Sequence, residues 1–178
     1  TGDASAPRPV DSYHSCGMQW CFGKETTMKQ NMIAPLATTD LYDEYGDKLR
    51  VCDIQMANFG GHKAFAGQIT TIHCHLDNGL VKATLNSPGE GRVLVVDGEG
   101  DLHTALCGDM IAGAAVKNGW AGVVINGAIR DSATILGLAL GMKALGTTPR
   151  KSAKDSVGET DVELSLIHIS EPTRRYAI

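Results

Sequence analysis

A chain of 178 residues, 43% hydrophobic and 20% charged, is long enough to bury one core and short for two. Its net charge of -4 argues against direct binding to a nucleic-acid backbone, which needs clustered Lys and Arg. No apolar stretch approaches the roughly 20 residues that cross a bilayer, and no secretory signal pattern opens the chain. The scattered Cys52, Cys74 and Cys107 are typical of buried thiols in a reducing compartment. The sequence therefore predicts one cytoplasmic domain.

The first 31 residues show neither a helical nor a strand period. They mix Pro, Ser, Lys and Gln with Cys16 and Cys21, whose separation lacks the close CxxC spacing of a metal pair. We interpret residues 1–31 as an extension outside the folded domain, and we expect that domain to occupy residues 32–163.

Within the expected domain, the hydrophobic pattern predicts alternating strands and helices, which is an α/β organisation. A helix starts at residues 38–40 and places Leu41, Tyr45 and Leu49 on one face. The elements that follow are a strand at 65–75, a helix at 80–85, a strand at 92–97, a helix ending at 118–119, a strand at 123–126, a turn at 130–131, a short apolar segment from 135, a strand near 142–145 and a charged loop at 151–158.

The strand at 123–126 leads through Gly127 into a paired arginine and aspartate, Arg130 and Asp131. A guanidinium and a carboxylate fixed at a sheet edge suit oxyanions and divalent metal ions. The competing interpretation is an exposed ion pair that contributes little energy. The dipeptide therefore needs support from other segments.

Support comes from a second strand end and from a helix start. The apolar strand before Asp97 ends in an Asp-Gly turn, whose chemistry favours a cap over a catalytic acid for Asp97. Asp109 precedes apolar residues at helical spacing, so we interpret it as a helix N-cap that leaves backbone N–H groups pointing outward. A small oxo acid would then lie between the amides of residues 108–111 and the Arg130 guanidinium, with a metal ion near Asp131.

Two other patterns predict ordinary structure. His73 and His75 alternate on one strand face, but no acidic partner stands nearby in the sequence, so we interpret them as strand histidines rather than a metal pair. Gly98 and Gly100 imitate the start of a dinucleotide-binding fingerprint, yet His103 stands where the third glycine would fall. We therefore expect no nucleotide cofactor.

Several segments carry a family resemblance: Asn58-Phe59-Gly60-Gly61, Phe65-Ala66-Gly67-Gln68-Ile69, Asp77-Asn78, Val95-Val96-Asp97-Gly98, Gly108-Asp109-Met110-Ile111, Asn118-Gly119-Trp120-Ala121-Gly122 and Gly127-Ala128-Ile129-Arg130-Asp131. Together they resemble the family of the regulator of ribonuclease E activity A (RraA), which includes the class II 4-hydroxy-4-methyl-2-oxoglutarate aldolases. Their order and spacing agree across residues 39–163, which makes the match more specific than any one motif.

The resemblance implies an α/β fold of the swivelling-domain type, a β/β/α sandwich assembled as a homotrimer or a pair of trimers. The active site would lie near subunit contacts. Arg130 matches the family's substrate-binding arginine, and Asp131 matches its metal-binding aspartate. The family's substrate-binding turn is matched by Gly108, Asp109, Met110 and Ile111.

These matches imply a metal-dependent lyase that cleaves 4-hydroxy-4-methyl-2-oxoglutarate into two pyruvates and decarboxylates oxaloacetate. Arg130 and Asp131 would be the catalytic residues, and Mg²⁺ or Mn²⁺ near Asp131 would be the cofactor. The proton-transfer base stays open, with Asp109 as one candidate. Family members often carry a glycine in place of Glu99, and some carry an acid in place of Thr134, so the pocket rim and the metal site differ here.

The same family includes regulators that bind ribonuclease E and inhibit RNA processing through protein contacts, which is the alternative function. Members that act chiefly as regulators can lack the metal-binding acid, so Asp131 favours the enzyme. The expected partners are therefore a small 2-oxo acid, further copies of the chain and, in the alternative, ribonuclease E.

After Glu163 the sequence departs from the family. Residues 164–178 resemble the conceptual translation of a transposase-based sequencing adapter, so we expect this tail to be artefactual. The family's C-terminal strands would then be missing, and such a truncation would leave sheet edges uncovered.

Overall fold

The structure is a computed structural model that describes residues 37–49, 51–52, 54–164 and 176–177. The predicted N-terminal extension, with Cys16 and Cys21, and most of the predicted tail lie outside the described residues. The domain boundaries therefore stay predictions. Two tail residues, Tyr176 and Ala177, are described as a short strand.

The elements follow the predicted alternation. The helices are α1 (Thr38–Tyr45), α2 (Gly79–Leu85), α3 (Asp109–Lys117) and α4 (Ser132–Ile135), with a 3₁₀ turn at Gly46–Lys48. The strands are β1 (Ala57–Asn58), β2 (Ala66–Gly67), β3 (Ile69–His73), β4 (Val93–Asp97), β5 (Ala105–Cys107), β6 (Gly122–Ile129), β7 (Gly141–Thr147), β8 (Glu159–Thr160) and β9 (Tyr176–Ala177). The predicted α/β class is confirmed.

One principal sheet organises the described residues, in the order β1-β7-β6-β4-β3-β8. Its centre is parallel, from β3 through β4 and β6 to β7, whereas β1 and β8 pair antiparallel at its edges. Strand β5 pairs in parallel with the end of β6, and β2 forms a separate antiparallel ladder with β9. Because the central strands are parallel, their carboxyl ends meet at one edge of the sheet, where α/β proteins bind ligands.

Both faces of the central strands are buried, which explains their continuous apolar runs. In β4, Leu94 and Val96 join the larger core cluster, to which α2 and α3 also contribute, whereas Val93 and Val95 belong to a second cluster with Phe65. Helix α1 buries none of its residues, so its predicted apolar face is not part of this core.

Strand β6 is longer than predicted, because Gly127 continues the strand instead of ending it. Its first five residues pair with β4, and Ala128 and Ile129 then pair with β5. On the other side, its register with β7 shifts between Ile125 and Ala128. A shift of this kind bends a strand and redirects its end, here towards β5. The strand therefore delivers Arg130 beside the start of α3.

The loop after β7 is fastened to the body of the domain at two places. Near its start, the Ala105 N–H donates to the Arg150 carbonyl oxygen at 2.8 Å. Farther along, the buried Asp77 carboxylate accepts three backbone N–H bonds at 2.6 to 3.1 Å, from Gly79, Asp155 and Ser156. These contacts fix the polypeptide that borders the site described below.

The cysteines of the domain differ in burial. Cys74 and Cys107 are buried, and burial raises the pKa of their thiols to about 11 and about 12. Both are therefore thiols at neutral pH. Cys52 is only half-buried, contrary to the prediction.

Within the described ranges no helix is long and apolar enough to cross a membrane. The cytoplasmic location stays a prediction.

Candidate active site

Arg130 and Asp131 form an ion pair at the end of β6. The Arg130 N–H donates to the Cys107 carbonyl oxygen at 2.9 Å, which ties the residue to the end of β5. Asp131 adopts a left-handed backbone conformation, with φ 55° and ψ 34°. Arg130 Nε then donates to Asp131 Oδ2 at 2.8 Å. The two side chains remain 31% and 34% exposed, so a ligand can reach both.

The pair fixes the charge state of both groups. The hydrogen bond from Arg130 is the largest cause that lowers the pKa of Asp131; contacts with Asp109 add to it, and partial burial opposes it. The same hydrogen bond raises the pKa of Arg130. The site therefore presents a carboxylate and a guanidinium together at neutral pH.

Gly108 allows the pair to lie against the start of α3. A Cβ atom on this residue would lie 3.0 Å from Asp131 Oδ2 and 3.2 Å from Arg130 Nε. At these distances the charged groups would have to shift by a few tenths of an ångström to admit the added atom. The predicted approach of Gly108 and the Arg-Asp pair is present in the structure.

The start of α3 differs from the prediction by one residue. Gly108 occupies the capping position, and Asp109 is the first helical residue. Asp109 Oδ1 accepts the Met110 N–H at 2.7 Å, so this amide already has a partner. The Met110 side chain is 84% exposed, and Ile111 packs against the larger core cluster. Two of the four residues of the predicted substrate-binding turn, Gly108 and Asp109, therefore lie beside the Arg130 and Asp131 ion pair.

An open depression of about 440 Å³ lies beside the pair. Sequence reasoning did not assign its other lining residues, which are Ser132, Ala133, Thr147, Thr148 and Pro149. The hydroxyl groups among them make no hydrogen bond to another residue in the described part of the chain. The available signal was topological: β6 and β7 are parallel neighbours, so the residues that follow them reach the same edge.

The side chains at this site fit a weakly held Mg²⁺ or Mn²⁺ ion. Mg²⁺ typically uses one or two carboxylates and keeps several waters. Asp131 supplies one ionised carboxylate, and the Asp109 side chain lies beside it. Neither here nor elsewhere among the described residues do three or more His, Cys, Asp or Glu side chains form a group that could hold a metal ion. Any ion at Asp131 would therefore depend on water and substrate for most of its ligands.

Two of the other sequence patterns are resolved by the structure. Asp97 Oδ1 accepts the Glu99 N–H at 3.0 Å and Asn126 Nδ2 at 2.9 Å, in agreement with a capping role. The expectation that His73 and His75 have no acidic partner is wrong. Both contact Glu99, which lies in the turn after the neighbouring strand β4 and is therefore distant in sequence but adjacent in space.

Comparison with known proteins places this geometry in a family. The family model described as RraA-like, aldolase/RraA, matches residues 38–171. The chain is similar to the crystal structure of a protein named S-adenosylmethionine: 2-dimethylmenaquinone methyltransferase, from Geobacillus kaustophilus HTA426. That pair shares 44% identity with a TM-score of 0.71 and covers 72% of this chain and 80% of the other.

The chain is also similar to the RNA-processing inhibitor RraA from Thermus thermophilis, at 44% identity and a TM-score of 0.69, over 72% of this chain and 78% of that one. RraAS2 from Streptomyces coelicolor shares the fold at 23% identity, with a TM-score of 0.51. The expected RraA-like fold is confirmed. This chain belongs to the RraA-like family, which the model describes as aldolase/RraA.

Proposed function

We propose that this chain is a divalent-metal-dependent carbon–carbon lyase that cleaves 4-hydroxy-4-methyl-2-oxoglutarate into two pyruvates and decarboxylates oxaloacetate. The observation that carries the proposal is the Arg130 and Asp131 ion pair, held over Gly108 beside an open depression. Two structural neighbours of equal identity are named for different activities, a methyltransferase and an RNA-processing inhibitor, so similarity does not choose between activities. The choice rests on the chemistry of the site.

Both reactions place the same demand on Arg130. The bond between C3 and C4 of the 2-oxo acid breaks, and its electron pair moves onto the 2-oxo group to give the pyruvate enolate. The other fragment leaves as pyruvate, after its hydroxyl loses a proton, or as carbon dioxide. Arg130 neutralises the charge that develops on the oxygen, which stabilises the transition state. A proton added at C3 then yields pyruvate.

Asp131 is suited to hold the ion and Arg130 to bind the acid. Because Arg130 keeps Asp131 ionised, this carboxylate is available to a metal-bound water or to the metal itself. A bound Mg²⁺ or Mn²⁺ ion would supply Lewis-acid charge to the substrate oxygens. Since Asp109 occupies the Met110 N–H, the substrate carboxylate is expected to rely on Arg130 more than on the helix-start amides.

The test is pyruvate release from each substrate, measured with Mg²⁺, with chelator and in matched variants. Asp131→Asn keeps the shape of the side chain and removes its charge, so we expect kcat/KM to fall at least about 100-fold. Asp131→Ala should behave alike, and Asp43→Asn, on the exposed face of α1, should change nothing. Full activity in the Asp131 variants, or in chelator, would remove the proposed mechanism.

A second candidate function is regulation of a ribonuclease, supported by similarity to the RNA-processing inhibitor from Thermus thermophilis. This function needs contacts and no chemistry. Purified ribonuclease E retained by the immobilised chain, with reduced RNA cleavage that survives Asp131→Asn, would favour it. Assembly as a trimer or a pair of trimers stays a prediction, which light scattering would test in the same samples.

A further inference from the structure

Three hydroxyl groups line the depression beside the Arg130 and Asp131 ion pair. They belong to Ser132, Thr147 and Thr148, here called the hydroxyl cluster, and none is hydrogen-bonded to another of the described residues. The depression's volume of about 440 Å³ lies within the range of small-molecule sites, about 300 to 1,000 Å³. Each hydroxyl is therefore a donor still available to a ligand in the depression.

The backbone anchors the two threonines of the cluster. Thr147 is the last residue of β7 and pairs with Ile129, the last residue of β6. The Thr148 N–H donates to the Ile129 carbonyl oxygen at 2.8 Å. Two residues later, the Arg150 carbonyl oxygen accepts the Ala105 N–H. The threonines therefore lie on a segment that is fixed on both sides, and donors held in place in this way lose less freedom when a ligand binds.

The charges of the lining leave a role for neutral donors. Among the described residues that line the depression, Arg130 carries the single positive charge, and its Nε is already bonded to Asp131. A ligand with two carboxylates can place one of them at this guanidinium. The second carboxylate then depends on neutral donors, and serine and threonine hydroxyls are such donors.

We propose that the hydroxyl cluster binds the substrate carboxylate that is distal to the 2-oxo group. This inference rests on the proposed function, in which Arg130 and a bound metal ion hold the 2-oxo acid end. In 4-hydroxy-4-methyl-2-oxoglutarate the distal carboxylate is attached to C4, which also carries a methyl group. Ala133 and Pro149 add apolar surface to the same lining. The depression therefore offers both kinds of contact that this end of the acid requires.

The cluster would also discriminate between the two proposed substrates. In aldol cleavage the distal carboxylate keeps its charge and leaves as part of pyruvate, so hydrogen bonds to it persist in the transition state. In oxaloacetate the distal carboxylate leaves as carbon dioxide, and its negative charge moves to the 2-oxo oxygen. Hydrogen bonds to that carboxylate stabilise the bound substrate more than the transition state. The cluster therefore favours cleavage of the longer acid.

The first test measures binding without turnover, by calorimetry on the full chain with Mg²⁺. The probes are 2-oxoglutarate, which has a distal carboxylate, and 2-oxopentanoate, which has a methyl group in its place. Thr148→Val removes the hydroxyl and keeps a β-branched side chain. We expect the Kd of 2-oxoglutarate to rise about tenfold and that of 2-oxopentanoate to stay within about twofold. Thr147→Val and Ser132→Ala should act in the same direction.

The matched control is Thr160→Val, at an exposed position of the edge strand β8, which should change neither Kd. An equal effect of Thr148→Val on both probes, or no effect on either, would overturn the inference. Selective loss of 2-oxoglutarate binding in a chain that releases no pyruvate would support the carboxylate site and remove the proposed lyase. The two failures are therefore distinguishable.

The second test compares both reactions in the same variants. For 4-hydroxy-4-methyl-2-oxoglutarate, Thr148→Val should raise KM about tenfold with kcat nearly unchanged, because the lost contact is equal in the ground state and the transition state. For oxaloacetate, kcat should rise with KM. The ratio of the two kcat/KM values should then shift about tenfold towards decarboxylation. An equal fall in kcat/KM for both substrates would indicate a general loss of site geometry and would overturn the inference.

Discussion

Asp77 and Asp131 are both aspartates at the ends of secondary structure, yet the structure uses them in opposite ways. Asp77 is 2% exposed, and its two oxygens accept three backbone N–H bonds. Asp131 is one-third exposed, and a side-chain bond from Arg130 fixes its Oδ2. A carboxylate whose acceptors are filled by the backbone holds the chain together, whereas one with accessible oxygen remains available for a ligand.

The largest expected effect is the loss of stability on removal of the Asp77 carboxylate. Asp77→Ala leaves three backbone N–H groups without their acceptor, each at a cost of about 1 to 3 kcal/mol when buried. We expect the free energy of unfolding to fall by about 3 kcal/mol and Tm by about 6 to 12 °C. Thermal unfolding followed by circular dichroism measures this. Asp43→Ala, at an exposed position of α1, is the control; a similar loss in both variants would contradict the assigned role of Asp77.

The next largest effect is the loss of activity when Arg130, the partner of Asp131, is replaced. Arg130→Lys keeps the charge but removes the planar guanidinium whose Nε bonds Asp131. We expect pyruvate release to fall by about 100-fold in kcat/KM, with stability changed by less than about 0.5 kcal/mol. Arg150→Lys provides an exposed arginine as the control. An Arg130→Lys variant with undiminished activity would show that the charge alone suffices.

The contrast between the two aspartates also shows what sequence can predict. Arg130 and Asp131 are adjacent in sequence, so their pairing at a strand end follows from one local pattern. The three N–H donors to Asp77 include Asp155 and Ser156, about 80 residues away, and no local period connects them. The fold class was predictable because buried parallel strands read as apolar runs.

The same distinction applies to the errors at strand ends. The contact of Glu99 with His73 and His75 depends on which strands are neighbours, and strand order is a property of the whole sheet. The predicted β6 is too short because glycine is a frequent strand breaker. In the structure β6 continues through Gly127, with a register shift against β7 between Ile125 and Ala128, and Ala128 and Ile129 pair with β5.

A smaller effect is expected when a methyl group is added beside Arg130 and Asp131 and both charged side chains are kept. Gly108→Ala places a methyl group about 3.0 Å from Asp131 Oδ2, so the pair must shift by a few tenths of an ångström. We expect activity to fall about tenfold, because misplacement of catalytic groups is costly. The matched control is Gly113→Ala in α3, where the added Cβ meets nothing within 4 Å. This control should raise stability by about 0.5 to 1 kcal/mol and keep full activity. Equal activity in both variants would contradict the close approach.

The smallest effect is a change in protonation equilibrium. Arg130 holds the pKa of Asp131 below its ordinary value, and the stabilisation from this pair is present above the unfolded-state pKa and lost as pH falls through the folded-state pKa. Because Asp131 is one-third exposed, solvent screens the pair, and unfolding curves would register little. Carboxyl NMR titration observes the group directly. In Arg130→Gln the midpoint of Asp131 should move upward towards the ordinary aspartate value, whereas Arg150→Gln should leave it in place. If the titration midpoint of Asp131 is the same in Arg130→Gln as in the unchanged chain, the contacts with Asp109, rather than Arg130, keep this carboxylate ionised.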